Sequence, residues 1–197
     1  MKKIVIIGPE STGKSTLCEQ LAAHYNTLWC PEYAREYLLK HGTNYSFEDL
    51  LTIAKGQLAL EEKYIESVLS IRESEIKING LQNADSRFRT QDSLLFIDTD
   101  MYVMKVWCEF VFGSCHRFIL DQIVERKYDL YLLCNVDLPW VKDELREYPD
   151  LETRSRLYLI YKDILINQSV PWVDVSGNYD ERLRKAIIAT DKLITTL

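Results

Sequence analysis

The chain has 197 residues, 47% hydrophobic and 27% charged, enough apolar material for one α/β core but cramped for two full domains. Its formal net charge of −6, with no Lys/Arg block, argues against broad nucleic-acid binding. The five cysteines, Cys18, Cys30, Cys108, Cys115 and Cys134, form no C-x-x-C pair and read as reduced thiols rather than disulfides or zinc ligands, so a cytoplasmic setting is expected.

In chain order, Met1-Lys2-Lys3 leads into Ile4-Val5-Ile6-Ile7, an apolar run too short for a signal core or a membrane insertion and so expected to be the first strand. Directly behind it stands Gly8-Pro9-Glu10-Ser11-Thr12-Gly13-Lys14-Ser15-Thr16, which has the spacing of a phosphate-binding loop. Glycines let backbone amides converge on phosphate oxygens, and the following helix, expected over Ser15 to His24, adds its dipole. Lys14 supplies a cation for the β- and γ-phosphates and Ser15 a hydroxyl for Mg2+, so ATP with Mg2+ is the expected ligand pair, held by residues 8 and 10 to 16.

A second strand is expected at Thr27 to Cys30, followed by Pro31-Glu32-Tyr33-Ala34-Arg35-Glu36. Glu32 can accept the proton of an acceptor hydroxyl while Tyr33 and Arg35 bind the substrate; an acid there also suits a helix first turn on dipole grounds alone, and both readings stand. Ser46-Phe47-Glu48-Asp49 is a capping box for a helix carrying Leu50, Ala54, Leu58, Ile65 and Leu69, which should cover the second and third strands. From Arg72 to Ser93 the sequence turns polar, with Asn79-Gly80 as a turn signal, and reads as an exposed excursion.

Leu94-Leu95-Phe96-Ile97 delivers Asp98 to the end of a third strand, where it can hold Mg2+ through water, and Asp100 can reach toward a ribose from the same edge. Trp107, Phe110 and Phe112 then form an aromatic stripe on a helix ended by Gly113; such stripes usually pack in a core, and only Trp107 is assigned to substrate. After a fourth strand, Leu130 to Cys134, comes Asp137-Leu138-Pro139-Trp140 with Lys142, Arg146, Arg154 and Arg156, a polar hairpin over about residues 138 to 156 that reads equally as a lid or as a solvated helix face. As a lid it would bring Arg146 and Arg154 over the γ-phosphate. A fifth strand, Val170 to Val175, delivers Ser176-Gly177-Asn178, where Gly177 can pack on a nucleotide base or simply turn the chain. Strands alternating with helices predict an α/β fold of three layers, a parallel sheet with helices on both faces and ligands at the C-terminal strand ends.

Taken together, GPESTGKSTL, PEYAREYL, Ile53-Ala54-x-Gly56-Gln57, FIDTD and DLPWVKDELRE resemble, in order and over nearly the whole chain, the ribosylnicotinamide kinase domain of the bacterial NadR family in a single-domain form. The resemblance implies a P-loop nucleoside kinase over residues 1 to 197 with strand order 2-3-1-4-5. It implies phosphoryl transfer from ATP to the 5′-hydroxyl of nicotinamide riboside, a small-molecule nucleoside partner. On the same ground Glu32, Tyr33, Arg35, Gln57, Asp98 and Asp100 line the riboside side, with Trp140 and Arg146 in the lid. Either Glu32 or Asp98 can be the base; similar nucleoside kinases use the acid after strand two, which assigns Glu32 to the proton and Asp98 to Mg2+. The chain departs from the pattern in three ways. It has neither the H-x-G-H adenylyltransferase motif nor a helix-turn-helix domain, its excursion at 72 to 93 looks longer, and Pro31 stands where some relatives carry an aromatic able to stack on nicotinamide.

A GTPase switch would need an N-K-x-D guanine motif, which Asn135-Val136-Asp137 does not supply. A nucleotide sensor that turns over nothing, and a kinase for another nucleoside, are compatible with the same motifs. Nothing in the sequence sets an oligomeric state.

Overall fold

The computed structural model describes residues 1 to 79 and 93 to 195. Five strands form one sheet: β1 (Lys2–Ile7), β2 (Leu28–Cys30), β3 (Leu94–Asp98), β4 (Leu130–Cys134) and β5 (Trp172–Val175). All pairings are parallel and the order is β2-β3-β1-β4-β5, as the resemblance implies. Each strand falls within or close to its expected span. β5 starts two residues late, after Pro171, whose missing N–H cannot join the ladder although its carbonyl accepts from Tyr131 N at 3.0 Å.

Alternation within β1 explains the three layers. Ile4 and Ile6 face α1 (Lys14–His24) and α7 (Tyr179–Thr195), while Val5 and Ile7 face the other side. There they meet α3 (Phe47–Asn79), α4 (Met101–Phe112) and α6 (Leu151–Ile166). All four are fully buried, which is why this strand reads as a continuous apolar run, each residue contributing about 1.5–3 kcal/mol. A third cluster joins α3 and α4 to α2 (Tyr33–His41) and α5 (Arg117–Glu125), a helical buttress beside the strand ends.

The capping box forms as expected. Asp49 Oδ2 accepts from Ser46 N at 2.7 Å, and Ser46 Oγ accepts from Asp49 N at 3.3 Å. The helix it starts packs on β2 and β3 and runs further than expected, to Asn79, so residues 72 to 79 of the expected excursion are helical. The remainder, 80 to 92, lies outside the described residues. The span expected as a polar hairpin over 138 to 156 is instead an irregular strap as far as Asp150, which caps α6 by accepting from Thr153 N at 2.7 Å. Its last six residues, Arg154 and Arg156 included, are the first turns of α6.

Candidate active site

The phosphate loop joins β1 to α1. Gly8 has φ +141° and runs so close to β4 that a Cβ would stand 2.7 Å from the Cys134 carbonyl oxygen, so glycine is obligatory here. Gly13, at φ +76°, turns the chain into α1. Thr12 Oγ1 donates to Pro9 O at 2.7 Å and Lys14 Nζ to the same oxygen at 3.0 Å, so the lysine is held across its own loop. Behind the loop, Arg182 of α7 is 3% exposed and donates to the carbonyls of Thr12, Asn135 and Gly177 and to Asp137. This tether was not legible in the sequence, where an arginine on a polar helix reads as solvated.

From the start of α1, Ser15 Oγ donates to Asp98 Oδ2 at 2.5 Å, while Asp98 Oδ1 is buried with no hydrogen-bond partner. An orphaned carboxylate oxygen beside a hydroxyl is a hard-oxygen pair that fits Mg2+, an ion that takes one or two protein ligands and completes its shell with water and phosphate oxygens. Among the described residues no group of three or more His, Cys, Asp or Glu could hold a metal ion. Burial and then the neighbouring Glu32 push the Asp98 carboxyl up to about 6, against the pull of Lys14 and Ser15.

Glu32 is the N-cap residue of α2, yet its side chain caps no amide of that helix. Gln57, buried in α3, supplies the cap, its Oε1 accepting from Tyr33 N at 2.7 Å while its Nε2 donates to Pro31 O at 3.3 Å. The Glu32 carboxylate is thereby left to line the cleft, where it accepts from Thr99 Oγ1 at 3.3 Å. Thr99 has φ +80°, a left-handed conformation costly for a β-branched residue, so strain sits between the two site acids.

A cleft of about 250 Å³ is lined by residues 8 to 16, by Glu32, by the aromatic side chains Trp107, Phe110 and Tyr148, and by Leu157 and Tyr161. Of the other expected residues, Arg35 and Arg146 also line it. Arg35 pairs with Asp143 of the strap at 2.5 Å, and Arg146 donates to Val141 O. Trp107 is fixed by donating from Nε1 to Tyr45 OH at 2.8 Å. The aromatic stripe thus divides its work: Phe110 joins the cleft, while Phe112 packs on Tyr45 and Phe47.

Tyr33, Gln57, Asp98, Asp100, Trp140, Arg154 and Gly177 do not line the cleft, although Asp98 is bonded to the lining residue Ser15. The Tyr33 ring lies on Gly56, where a Cβ would come within 2.0 Å of it. Trp140 Nε1 donates to Glu10 Oε1 at 3.2 Å, and Gly177 N to Asp137 Oδ2 at 2.5 Å. Arg154 is 4% exposed, and its Nε and Nη1 make no hydrogen bond.

Asp100, expected on the ribose, is turned inward as the N-cap of α4. Its Oδ1 accepts from Tyr102 N at 3.0 Å and Val103 N at 3.3 Å, and its Oδ2 from Tyr131 OH at 2.9 Å. Asp100→Ala should therefore cost stability, about 2–4 kcal/mol from the lost cap and the stranded Tyr131 hydroxyl, and should leave the acceptor KM within a few-fold. Burial raises the Asp100 carboxyl to about 7. A carboxyl raised on folding favours the native state at low pH, so its contribution is lost as pH rises from about 4 to 7. Denaturant midpoints across that range should be flatter for Asp100→Asn than for the parent; an Ala variant of parental stability with a weakened acceptor KM would restore Asp100 to the substrate.

Fold and site define the class: an all-parallel sheet, a phosphate loop after β1, an acid at the end of β3 and a strap over the loop make this a P-loop kinase fold. Residues 3–182 match the AAA domain family, and the chain belongs to it. It is 27% identical over 188 residues to the trifunctional NAD biosynthesis/regulator protein NadR of Salmonella typhimurium, and equally to that of Escherichia coli. Each alignment covers 95% of this chain and 41% of the relative, so the chain spans about two-fifths of the curated relatives it matches. The likeness read from the motifs is thus to the same proteins. Among solved structures, NadR in complex with NR superposes at TM-score 0.69 with 20% identity, covering 100% of this chain and 50% of that one. Thymidylate kinase from Ehrlichia chaffeensis superposes at 0.58 with 15% identity, covering 96% and 98%.

Proposed function

We propose that the protein transfers the γ-phosphoryl group of ATP to the 5′-hydroxyl of nicotinamide riboside, giving nicotinamide mononucleotide in the salvage of NAD. The observation that carries this reading is the cleft, lined both by the phosphate loop and by the aromatic side chains Trp107, Phe110 and Tyr148, with the Glu32 carboxylate, bonded to Thr99 Oγ1, in its wall. Support comes from the relatives: solved NadR structures hold NR in one case and NAD with AMP-PNP in another. All five cysteines are free thiols, which suits a reducing cytoplasmic compartment. Among the described residues no helix is long and apolar enough to cross a membrane. Residues 1 to 197 then work as one kinase unit on a small-molecule substrate, with no role for nucleic acid.

In this mechanism the β- and γ-phosphates take the loop amides and Lys14, which leaves Pro9 O for them. Glu32 accepts the proton of the 5′-hydroxyl as its oxygen bonds to the γ-phosphorus, the bond to the bridging oxygen breaks, and ADP departs. Arg146 and Arg154 offset charge on the group in transfer. Ser15 and Asp98 would hold Mg2+, which when bound neutralises phosphate charge.

The pyridinium of nicotinamide riboside is a cation, and the pocket offers it Trp107, Phe110 and Tyr148 with Glu32 and Glu147 nearby, so stacking does not need an aromatic at Pro31. Steady-state rates over a panel of nicotinamide riboside, its neutral dihydro form, ordinary nucleosides and thymidylate check this. The cationic riboside should lead, with kcat/KM about 5- to 30-fold above the dihydro form. Faster turnover of thymidylate or an ordinary nucleoside would move the assignment to another kinase.

A further inference from the structure

A carboxylate within a phosphate loop is an electrostatic anomaly, because it repels the ligand that the loop binds. Glu10 is such a residue, and its side chain turns out of the loop into the strap. Oε1 accepts from Tyr148 N at 2.7 Å and Trp140 Nε1 at 3.2 Å, and Oε2 accepts from Glu147 N at 2.9 Å. Beside it, Ser11 Oγ accepts from Val141 N at 2.9 Å. Between Asn135 and Asp150 the strap has neither helix nor strand, so its amides have no ladder of their own, and two loop residues satisfy three of them.

The docked strap brings Leu145, Arg146, Glu147 and Tyr148 to the wall of the cleft that the phosphate loop also lines. A second chain of bonds reaches the acceptor end: Glu147 Oε2 accepts from Tyr45 OH at 2.9 Å, and Tyr45 OH accepts from Trp107 Nε1 at 2.8 Å. The strap is therefore bonded both to the loop that would hold ATP and to the aromatic wall that would hold the acceptor.

We infer that Glu10 is a positioning residue rather than a phosphate ligand: it docks the strap onto the phosphate loop, places Arg146 at the cleft, and limits wasteful hydrolysis of ATP. The hydrolysis part rests on the kinase reading; the docking part does not. Amide exchange of the full chain followed by NMR tests docking on the protein alone. In Glu10→Ala, the Glu147 and Tyr148 amides should exchange at least about tenfold faster than in the parent, while the β1 and β4 amides keep their protection and so report an intact fold. Glu10→Gln keeps an oxygen for part of the donor set and should fall between the two, and Trp140→Phe, which removes one donor, should shift exchange least. With Mg2+ and ATP, Glu10→Ala should raise the ratio of ADP released to acceptor phosphorylated several-fold, with the KM for ATP within about threefold of the parent. Parental exchange at Glu147 and Tyr148, a parental ratio in a working enzyme, or an ATP KM that collapses while exchange holds would each overturn the inference. If no acceptor is phosphorylated by the parent, the kinase reading fails while the exchange result still decides the role of Glu10.

Discussion

Glu32→Gln should lower kcat by about 10²- to 10⁴-fold and leave the dissociation constant for ATP within a few-fold of the parent. The expectation rests on what the side chain does not do. Glu32 occupies the N-cap of α2 without capping it, because Gln57 takes the Tyr33 amide, so its carboxylate accepts from the Thr99 hydroxyl and lines the cleft beside Asp98. Glutamine preserves that contact and the shape of the site, removes the ability to take a proton, and relieves the charge that pushes the Asp98 carboxyl up. Single-turnover phosphoryl transfer, measured beside equilibrium ATP binding, separates the effects. Near-parental turnover would take the base from Glu32 and leave Asp98, whose free Oδ1 is the next acceptor within the site.

The second large effect is expected at Lys14. Its ammonium donates to Pro9 O, so Lys14→Ala should change stability by no more than about 0.5–1 kcal/mol. The same change removes the one cation that the loop aims at the β- and γ-phosphates, and kcat/KM should fall by at least about 10²- to 10³-fold. Thermal melting and initial rates on one preparation check both parts. A variant that unfolds would show that the lysine is structural, and one that turns over normally would show that the loop does not hold the nucleotide in the orientation proposed.

How far the sequence reaches is clearest residue by residue. The strands were legible because β1, β3 and β4 are buried on both faces and so are written as uninterrupted apolar runs. The phosphate loop was legible because its glycines answer a backbone requirement that no other residue meets. Asp100 was misplaced for a physical reason: an acid just before a helix serves a ligand or a cap with the same spelling, and the Tyr131 hydroxyl that decides between them lies 31 residues away. Phe110 was hidden for a related reason, since a helical stripe packs against a core or walls a cleft with the same period. The strain at Thr99, the burial of Arg182 and the donors that converge on Glu10 arise from contacts between distant segments, which local pattern does not encode.

The most direct test of the account is the product of one reaction: purified protein, Mg2+, ATP and nicotinamide riboside, with ADP quantified and the riboside product identified by mass. Nicotinamide mononucleotide should form one for one with ADP. ADP accumulating without a phosphorylated riboside, or no ADP at all while ATP binds, would contradict it and leave the fold to a nucleotide sensor or to an acceptor of another kind.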